Sequence, residues 1–274
     1  MTLYLVATPI GNLADLTRRA EEVLCRVEVV ACEDTRVSQK LLSHLGIGPR
    51  LISLHEHSPP SRYLEVAELA LSSEVAYLTD AGTPGISDPG ARLVELALIR
   101  GVSLVPIPGP SALTAALSLS PFPSRRFTFM GYPPEGKGER EAFIRELASL
   151  PHPAVIFAAP HDVEKLVALL TENLSPRRRL LVCRELTKLH EEIRLISLAE
   201  AKEKGLGVPD RGEFVLVLEG EQEPEQEYRL GREQVMELAR RLVEEGLSQR
   251  SAVELVGKLF PELRGEVRRE LYNR

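Results

Sequence analysis

The sequence predicts an α/β protein: two α/β domains with a ligand cleft, then a small C-terminal helical module. Three observations carry this. Through the first 110 residues, short aliphatic runs alternate with helical patterns of 10 to 15 residues, as in a mostly parallel sheet covered on both faces. Past "GPSALTAALSLS" the strand-like runs crowd together, and two follow one another across a turn-sized gap, which predicts a second α/β domain with a mixed sheet. The last 47 residues contain no strand-like run. The divisions expected are therefore 1–110, 111–220, a linker at 221–227, and 228–274.

In chain order, "LYLVAT" (3–8) is a buried first strand ending at Pro9 and Gly11, and Asp15 or Thr17 caps the helix "RRAEEVLCRV". "VEVVACED" (27–34) is the second strand, and "TRVSQKLLSHLG" is a helix stopped by Gly46. "RLISLHEH" (50–57), a helix through "YLEVAELALS", strand "VAYLTD", a helix at 90–100 and strand "VSLVPIPGP" (102–110) complete the first sheet. Strands at 125–131, 154–159, 178–186, 191–198 and 212–220 form the second, with helices at 137–150, 161–173 and 199–204. The acidic, unpatterned "EGEQEPEQE" (219–227) reads as linker. Three short helices follow, Ser248 capping the second; they suit a helix-turn-helix module or a packing and dimerisation tail.

In parallel sheets ligands sit beyond the carboxyl ends of the strands. "TPIGN", "CEDTR", "HEH", "DAGTP" and "PGP" all fall at such ends. The stretch "LTDAGTPGISDPG" (78–90) combines three glycines and two prolines with almost no bulky side chain, so a ligand can lie against its backbone.

Composition narrows the classes. Formal charge is −6, from 34 Lys and Arg against 40 Asp and Glu, which argues against a nonspecific nucleic-acid coat but not against a local basic path. Cys25, Cys32 and Cys183 lie in apolar runs and are expected as reduced core thiols. With no basic flank or long apolar stretch, neither a signal peptide nor a membrane span is expected, and the compartment is the cytoplasm. No GxGxxG follows the first strand, and GxxxxGK[ST], GxSxG and HExxH are all missing, which removes the usual fingerprints of dinucleotide, P-loop, esterase and zinc-protease sites. His55 and His57 lack an obvious third ligand, so no metal is expected.

"YLVATPIGNLADLT", "EDTR", "DAGTPGISDPG", "PGPSA" and "CRELTK" stand in the order and spacing of the bacterial small-subunit ribosomal RNA ribose methyltransferases, a branch of the tetrapyrrole (precorrin) methylase superfamily. The chain resembles that branch over about residues 3–220, and its helical tail is similar to the branch's helix-turn-helix appendage. The resemblance implies S-adenosylmethionine bound in a cleft between two α/β domains, a homodimer, and 2′-O-methylation of a decoding-region cytidine in 16S rRNA. One segment departs: "FAAPHDV" (157–163) lacks the Glu and Arg that the branch carries there.

On that resemblance, the cofactor contacts expected are Pro9, Asp80, Ala81, Gly82, Thr83, Pro84, Gly85, Pro108, Gly109 and Pro110, with Gly131 and Ala158 in the opposite wall. Backbone groups and the Thr83 hydroxyl would meet the ligand, and Asp80 would accept from it or bond its own loop. Asp88 and Ser111 read as capping residues. The catalytic candidates are Glu185 or Lys188 for the proton, Arg36 for phosphate or ribose positioning, and Glu33 beside it; each is weighed against an ion-pair network that merely orders the cleft. Arg184 and Glu185 should point to opposite faces if their strand continues. For RNA, the basic turns "PSRR" (Arg125, Arg126) and "PRRR" (Arg177, Arg178), together with Arg250, Lys258 and Arg268 in the tail, are the expected phosphate contacts. Tyr63 and Tyr132 are the candidate stacking platforms. A precorrin-like small-molecule methylase and a noncatalytic nucleic-acid binder are the other readings.

Overall fold

The computed structural model describes residues 1–209, 211–221 and 231–272. Residues 1–221 and 222–274 are separate compact units. The first unit contains two five-stranded sheets.

The first sheet is built from β1 (Thr2–Val6), β2 (Val29–Cys32), β3 (Arg50–Ser53), β4 (Glu74–Leu78) and β5 (Ser103–Ile107), in the order β3-β2-β4-β1-β5 and parallel throughout. Its helices are α1 (Arg18–Arg26), α2 (Thr35–His44), α3 (Pro60–Ser72) and α4 (Gly90–Ile99). Side chains alternate between two cores, as a period of two requires. Leu3, Ala31, Val75 and Tyr77 pack with α3 and α4, whereas Tyr4, Val30, Ala76 and Leu78 pack with α1 and α2. Thr17 caps α1 by accepting from the Ala20 N–H, and Asp34 caps α2.

After α5 (Ala112–Leu119), the second sheet contains β6 (Thr128–Gly131), β7 (Ala154–Ala158), β8 (Arg179–Arg184), β9 (Glu192–Ser197) and β10 (Phe214–Leu218), in the order β6-β7-β10-β8-β9. Only β6 and β7 run parallel; β10 is antiparallel to both β7 and β8, and β9 to β8. The carboxyl ends of β6, β7 and β8 and the start of β10 therefore share one edge. One face packs on α6 (Lys137–Ser149), α7 (Val163–Asn173) and α8 (Leu198–Lys204). The other packs on α5 and on Ile10 in the loop after β1, through Val155, Leu181, Val215 and Val217.

The expected linker begins too early. Glu219 is buried and bonds Arg179, and the Glu221 N–H donates to Leu150 O, so these acids finish the sheet. Their attraction to Arg178 and Arg179 outweighs the acidity of the run. Residues 222–227 of that linker lie outside the described residues.

In the second unit, α9 (Arg232–Glu244), α10 (Gln249–Leu259) and α11 (Arg264–Tyr272) bury Val235, Ala239, Val253, Val256, Val267 and Leu271 together. Ser248 caps α10 by accepting from the Ser251 N–H. Gly257 is required by packing: a Cβ there would meet the Arg264 side chain at 2.6 Å.

Candidate active site

Three loops at the carboxyl ends of β1, β4 and β5 are stitched together. Thr8 and Gly82 exchange backbone hydrogen bonds of 2.9 and 3.0 Å, so both polar groups of Gly82 are used inside the protein. The Gly82 φ of +85° explains why glycine stands there. Thr83 donates its hydroxyl to Pro110 O at 3.1 Å, and a Cβ on Gly109 would press to 3.0 Å from the Ala7 Cβ. Asp80 accepts from the Asp34 N–H at 3.0 Å, tying the β4 end to α2 rather than bonding its own loop. Asp88 accepts from the Gly85 and Gly90 N–H groups and the Tyr77 hydroxyl, which fixes the loop and the start of α4.

These loops face the shared edge of the second sheet across a cavity of about 120 Å³. Ile10, Ala81, Gly82, Thr83 and Ile86 line it on one side. Tyr132, Phe157, Leu186, Glu213 and Phe214 line the other. Phe157 meets Tyr132 and Phe129 edge to face, with centroids 5.5 and 4.9 Å apart. Ser111 also lines the cavity; it occupies the α5 N-cap position without a capping bond from its side chain, contrary to expectation.

Beyond β8 the backbone turns sharply, with φ of +51° at Glu185 and +66° at Thr187. The strand stops at Arg184, so the expected alternation of Arg184 and Glu185 does not apply. Arg184 is buried and donates to the Arg211 and His190 carbonyls and to Glu192. Lys188 Nζ bonds Glu185 at 2.8 Å and Glu213 at 3.0 Å, and Glu185 also accepts from the Glu213 N–H. Gly212, at φ +89°, leaves room for the Glu185 carboxylate, which a Cβ there would meet at 2.6 Å. Burial opposes the Lys188 charge, but the two carboxylates prevail and raise its pKa; burial likewise opposes Glu185, whose bond to Lys188 prevails and lowers it. Both are held charged at neutral pH. Glu33 and Asp80 shift the other way, raised first by burial and then by neighbouring carboxylates.

The family model for Tetrapyrrole (Corrin/Porphyrin) Methylases matches residues 2–202. A Mesorhizobium japonicum protein called ribosomal RNA small subunit methyltransferase I is 44% identical, over 78% of this chain and 74% of the relative. Proteins of the same name from Pseudomonas aeruginosa and Neisseria meningitidis are 39% and 37% identical, covering 92% and 99% of this chain and 90% and 92% of theirs. The chain belongs to the ribosomal RNA small subunit methyltransferase I family, within the tetrapyrrole methylases. Two solved structures share the fold: uroporphyrin-III-C-methyltransferase from Thermus thermophilus (TM-score 0.56, 21% identity, 79% of this chain and 93% of that one) and a diphthine synthase (TM-score 0.61, 17% identity, 80% and 90%).

Within this methyltransferase, the expected residues divide by location. Ala81, Gly82 and Thr83 line the cavity, whereas Pro9, Asp80, Pro84, Gly85, Pro108, Gly109, Pro110 and Gly131 are not among its lining residues. Gly131 instead takes a φ of +66°, which favours glycine, and its Cβ position stands at ordinary contact distance, 3.9 Å, from Ser87 Oγ. Ala158 is corrected by one position: its side chain is buried in the core against the helices, and the alternating neighbour Phe157 faces the cavity. Arg36 folds onto Asp34 at 2.6 Å with 87% of its side chain exposed. Tyr63 is 1% exposed beneath Arg92 and is no stacking platform. His55 and His57 follow β3 in a turn, not on a strand face. Cys32 and Cys183 are buried and Cys25 is exposed; burial pushes the Cys183 thiol up to about 12.

In the basic turns, Arg178 is corrected. Arg178 is buried, donating to the Glu219 and Leu147 carbonyls and pairing with Glu221, so it offers no face to RNA. Arg125, Arg126 and Arg177 are exposed but precede β6 and β8, whereas the cavity lies past the other ends of those strands. The six residues of β8 put about 20 Å between the two ends. Residues missed from sequence are Ile10, Phe157, Leu186, Glu213 and Phe214. The Phe157 signal was present in strand alternation, while nothing local announces that β10 brings Glu213 to the site.

Proposed function

We propose that this protein transfers the methyl group of S-adenosylmethionine to the 2′-oxygen of a cytidine ribose in the decoding region of 16S rRNA. The observation that carries the reading is the match, tail included, over 99% of the chain to a relative named for methylating small-subunit rRNA. At about 120 Å³ the cavity holds only part of the cofactor, and its lining suits that part: small residues Ala81 and Thr83 allow close approach, Phe157 and Tyr132 offer apolar surface, and Glu213 offers a carboxylate to an amine or ribose hydroxyl. When bound, S-adenosylmethionine supplies an electrophilic methyl on a sulfonium.

The protein's part is alignment of that methyl with the ribose oxygen and exclusion of water. Lys188, held as an ammonium by Glu185 and Glu213, is a charge stabiliser for the developing 2′-oxyanion, not a proton acceptor. Glu185 orients Lys188 and, as the ionised carboxylate beside it, is the acceptor for the 2′-hydroxyl proton as the methyl transfers, a weak base because its pKa is lowered. Glu33 accepts from Thr79 and supports the β2–β4 end. Exposed Arg250, Lys258 and Arg268 in the tail support RNA docking. A homodimer is part of this reading, supported by the apolar Ile193 and Leu195 exposed on edge strand β9. The compartment is the cytoplasm, where ribosomal RNA meets its bacterial modification enzymes.

Incubation of purified protein with tritiated S-adenosylmethionine and 16S rRNA or 30S subunits tests this. The label should map to one decoding-region cytidine ribose. Label on a base, or only on a tetrapyrrole substrate, overturns the reading.

A further inference from the structure

The end of β6 breaks its own alternation. Phe129 packs on the sheet face that carries α5, and Met130 packs with the helices on the opposite face, as a period of two requires. Continued past Gly131, that period would turn Tyr132 toward the helices. Instead the pairing of β6 with β7 shifts register between Phe129 and Gly131, Gly131 takes a φ of +66°, and Tyr132 emerges in the cavity wall. An irregularity of this kind re-aims a side chain beside a site.

The side chain so aimed fastens nothing. Its ring meets Phe157 edge to face at 5.5 Å, and Phe157 in turn meets Phe129. One such contact covers at most one face of a ring, and Tyr132 stays 56% exposed. Its hydroxyl has no hydrogen-bond partner among the described residues, so it does not tie the loop down. Pro133 and Pro134 follow, and their fixed φ angles stiffen the chain that carries the ring. Among the described residues Tyr132 is the one exposed aromatic in the cavity wall; Phe157 is half-buried there and Phe214 buried.

Glu213 relates this ring to the reacting atoms. Its carboxylate bonds Lys188 Nζ at 3.0 Å, and it also acts on the Tyr132 hydroxyl, whose pKa is raised first by burial and then by the Glu213 charge. Ring and ammonium therefore flank one carboxylate. In the proposed reaction the 2′-oxygen lies at Lys188, and the base of that nucleotide is joined to the neighbouring ribose carbon. A base drawn out of its own stack needs a replacement surface, which an aromatic ring supplies.

We infer that the open face of Tyr132 is the platform on which the base of the target cytidine stacks, holding its ribose in line with the methyl group. This deepens the proposed function and rests on it for the identity of the nucleotide.

The test compares the full chain as wild type, Tyr132→Phe, Tyr132→Leu and Tyr132→Ala, with S-adenosylmethionine and 30S subunits or 16S rRNA. Tyr132→Phe keeps the platform and should keep kcat/KM for RNA near wild type. Tyr132→Leu keeps an apolar wall without a flat ring, and Tyr132→Ala keeps neither; both should lose roughly 5- to 150-fold in kcat/KM for RNA, the effect of one lost stack. Calorimetric affinity for S-adenosylmethionine should hold in Tyr132→Leu, with Tm reporting that it is folded. Wild-type kcat/KM in the Leu and Ala variants overturns the platform. A fall in cofactor affinity in Tyr132→Leu as large as the fall in kcat/KM assigns the ring to the cofactor's adenine and overturns it too. Equal losses in Tyr132→Phe and Tyr132→Ala assign the effect to the hydroxyl, against a stacking role. No methyl transfer to RNA by wild type overturns the proposed function and the platform together, whereas transfer that survives removal of the ring overturns the platform alone.

Discussion

Lys188 lies across Gly11. A Cβ on Gly11 would collide with Lys188 Cγ and stand 3.0 Å from Thr187 Oγ1. The loop after β1 thus seats the cation that Glu185 and Glu213 hold from the second sheet. Gly11→Ala should displace Lys188 and lower methyl transfer while S-adenosylmethionine still binds. Lys188→Ala should lose about 10²–10³ in kcat by removing charge stabilisation. Because one atom group carries both effects, the double variant should be no slower than Lys188→Ala alone. Losses that multiply in the double-mutant cycle would show that Gly11 acts elsewhere.

Gly82→Val should abolish or severely weaken cofactor binding in calorimetric titration. The φ of +85° costs a β-branched residue roughly 1–2 kcal/mol, and the new side chain would crowd Ile10, whose Cγ2 lies 3.5 Å from the Cβ position. A folded variant with wild-type affinity removes this loop from the site.

Neighbours 157 and 158 should behave oppositely. Phe157→Ala should weaken S-adenosylmethionine binding by removing the cavity wall and the support of Tyr132. Ala158→Leu should overpack the helix-facing core, costing about 1–3 kcal/mol in denaturant unfolding. The reverse assignment of effects would mean that β7 presents its other face.

Acid should act in two steps. Asp34, held to about 2 by the Arg36 side chain and backbone N–H, is depressed in the fold. Its contribution is present above the usual carboxylate range and lost as pH falls through about 2. Glu33, raised by burial, has the opposite sign: it costs stability at neutral pH, and that cost disappears on mild acidification. Glu33→Gln should therefore raise Tm at pH 7 and have no stabilising effect at pH 3. An equal gain at both values would refute the burial argument.

Truncation after Glu221 should leave residues 1–221 folded, since that unit has its own sheets and cores. S-adenosylmethionine should bind as before, and RNA affinity and its salt slope should both fall through loss of Arg250, Lys258 and Arg268. An unchanged slope together with loss of a dimer in light scattering points to an assembly role for the tail.

Strand alternation and glycine chemistry made much of the fold legible: Leu3 and Tyr4 go to opposite cores, and Gly82 and Gly85 take positive φ as their loop demanded. What sequence concealed was non-local. Arg178 stands in a run of three arginines that looks solvated, yet it is buried because Glu219 and Leu147 turn their carbonyls toward it. Glu213 reaches the cavity only because β10 inserts between β7 and β8, a pairing that no local pattern encodes. The basic turns stand apart from the cavity for the same reason: their strands run toward the site, so the turns begin at the far edge.

The order β3-β2-β4-β1-β5 also has a consequence in time. Within this sheet, the strand made earliest is the one whose partners come late: Thr2 pairs with Glu74 and with Ser103. At about 5–20 residues per second, β1 waits roughly 4–15 s for β4 and longer for β5. Throughout that interval its apolar residues have no sheet to join. A nascent chain paused before β4 is therefore expected to need a holding chaperone, while a pause after β5 is harmless to the first sheet.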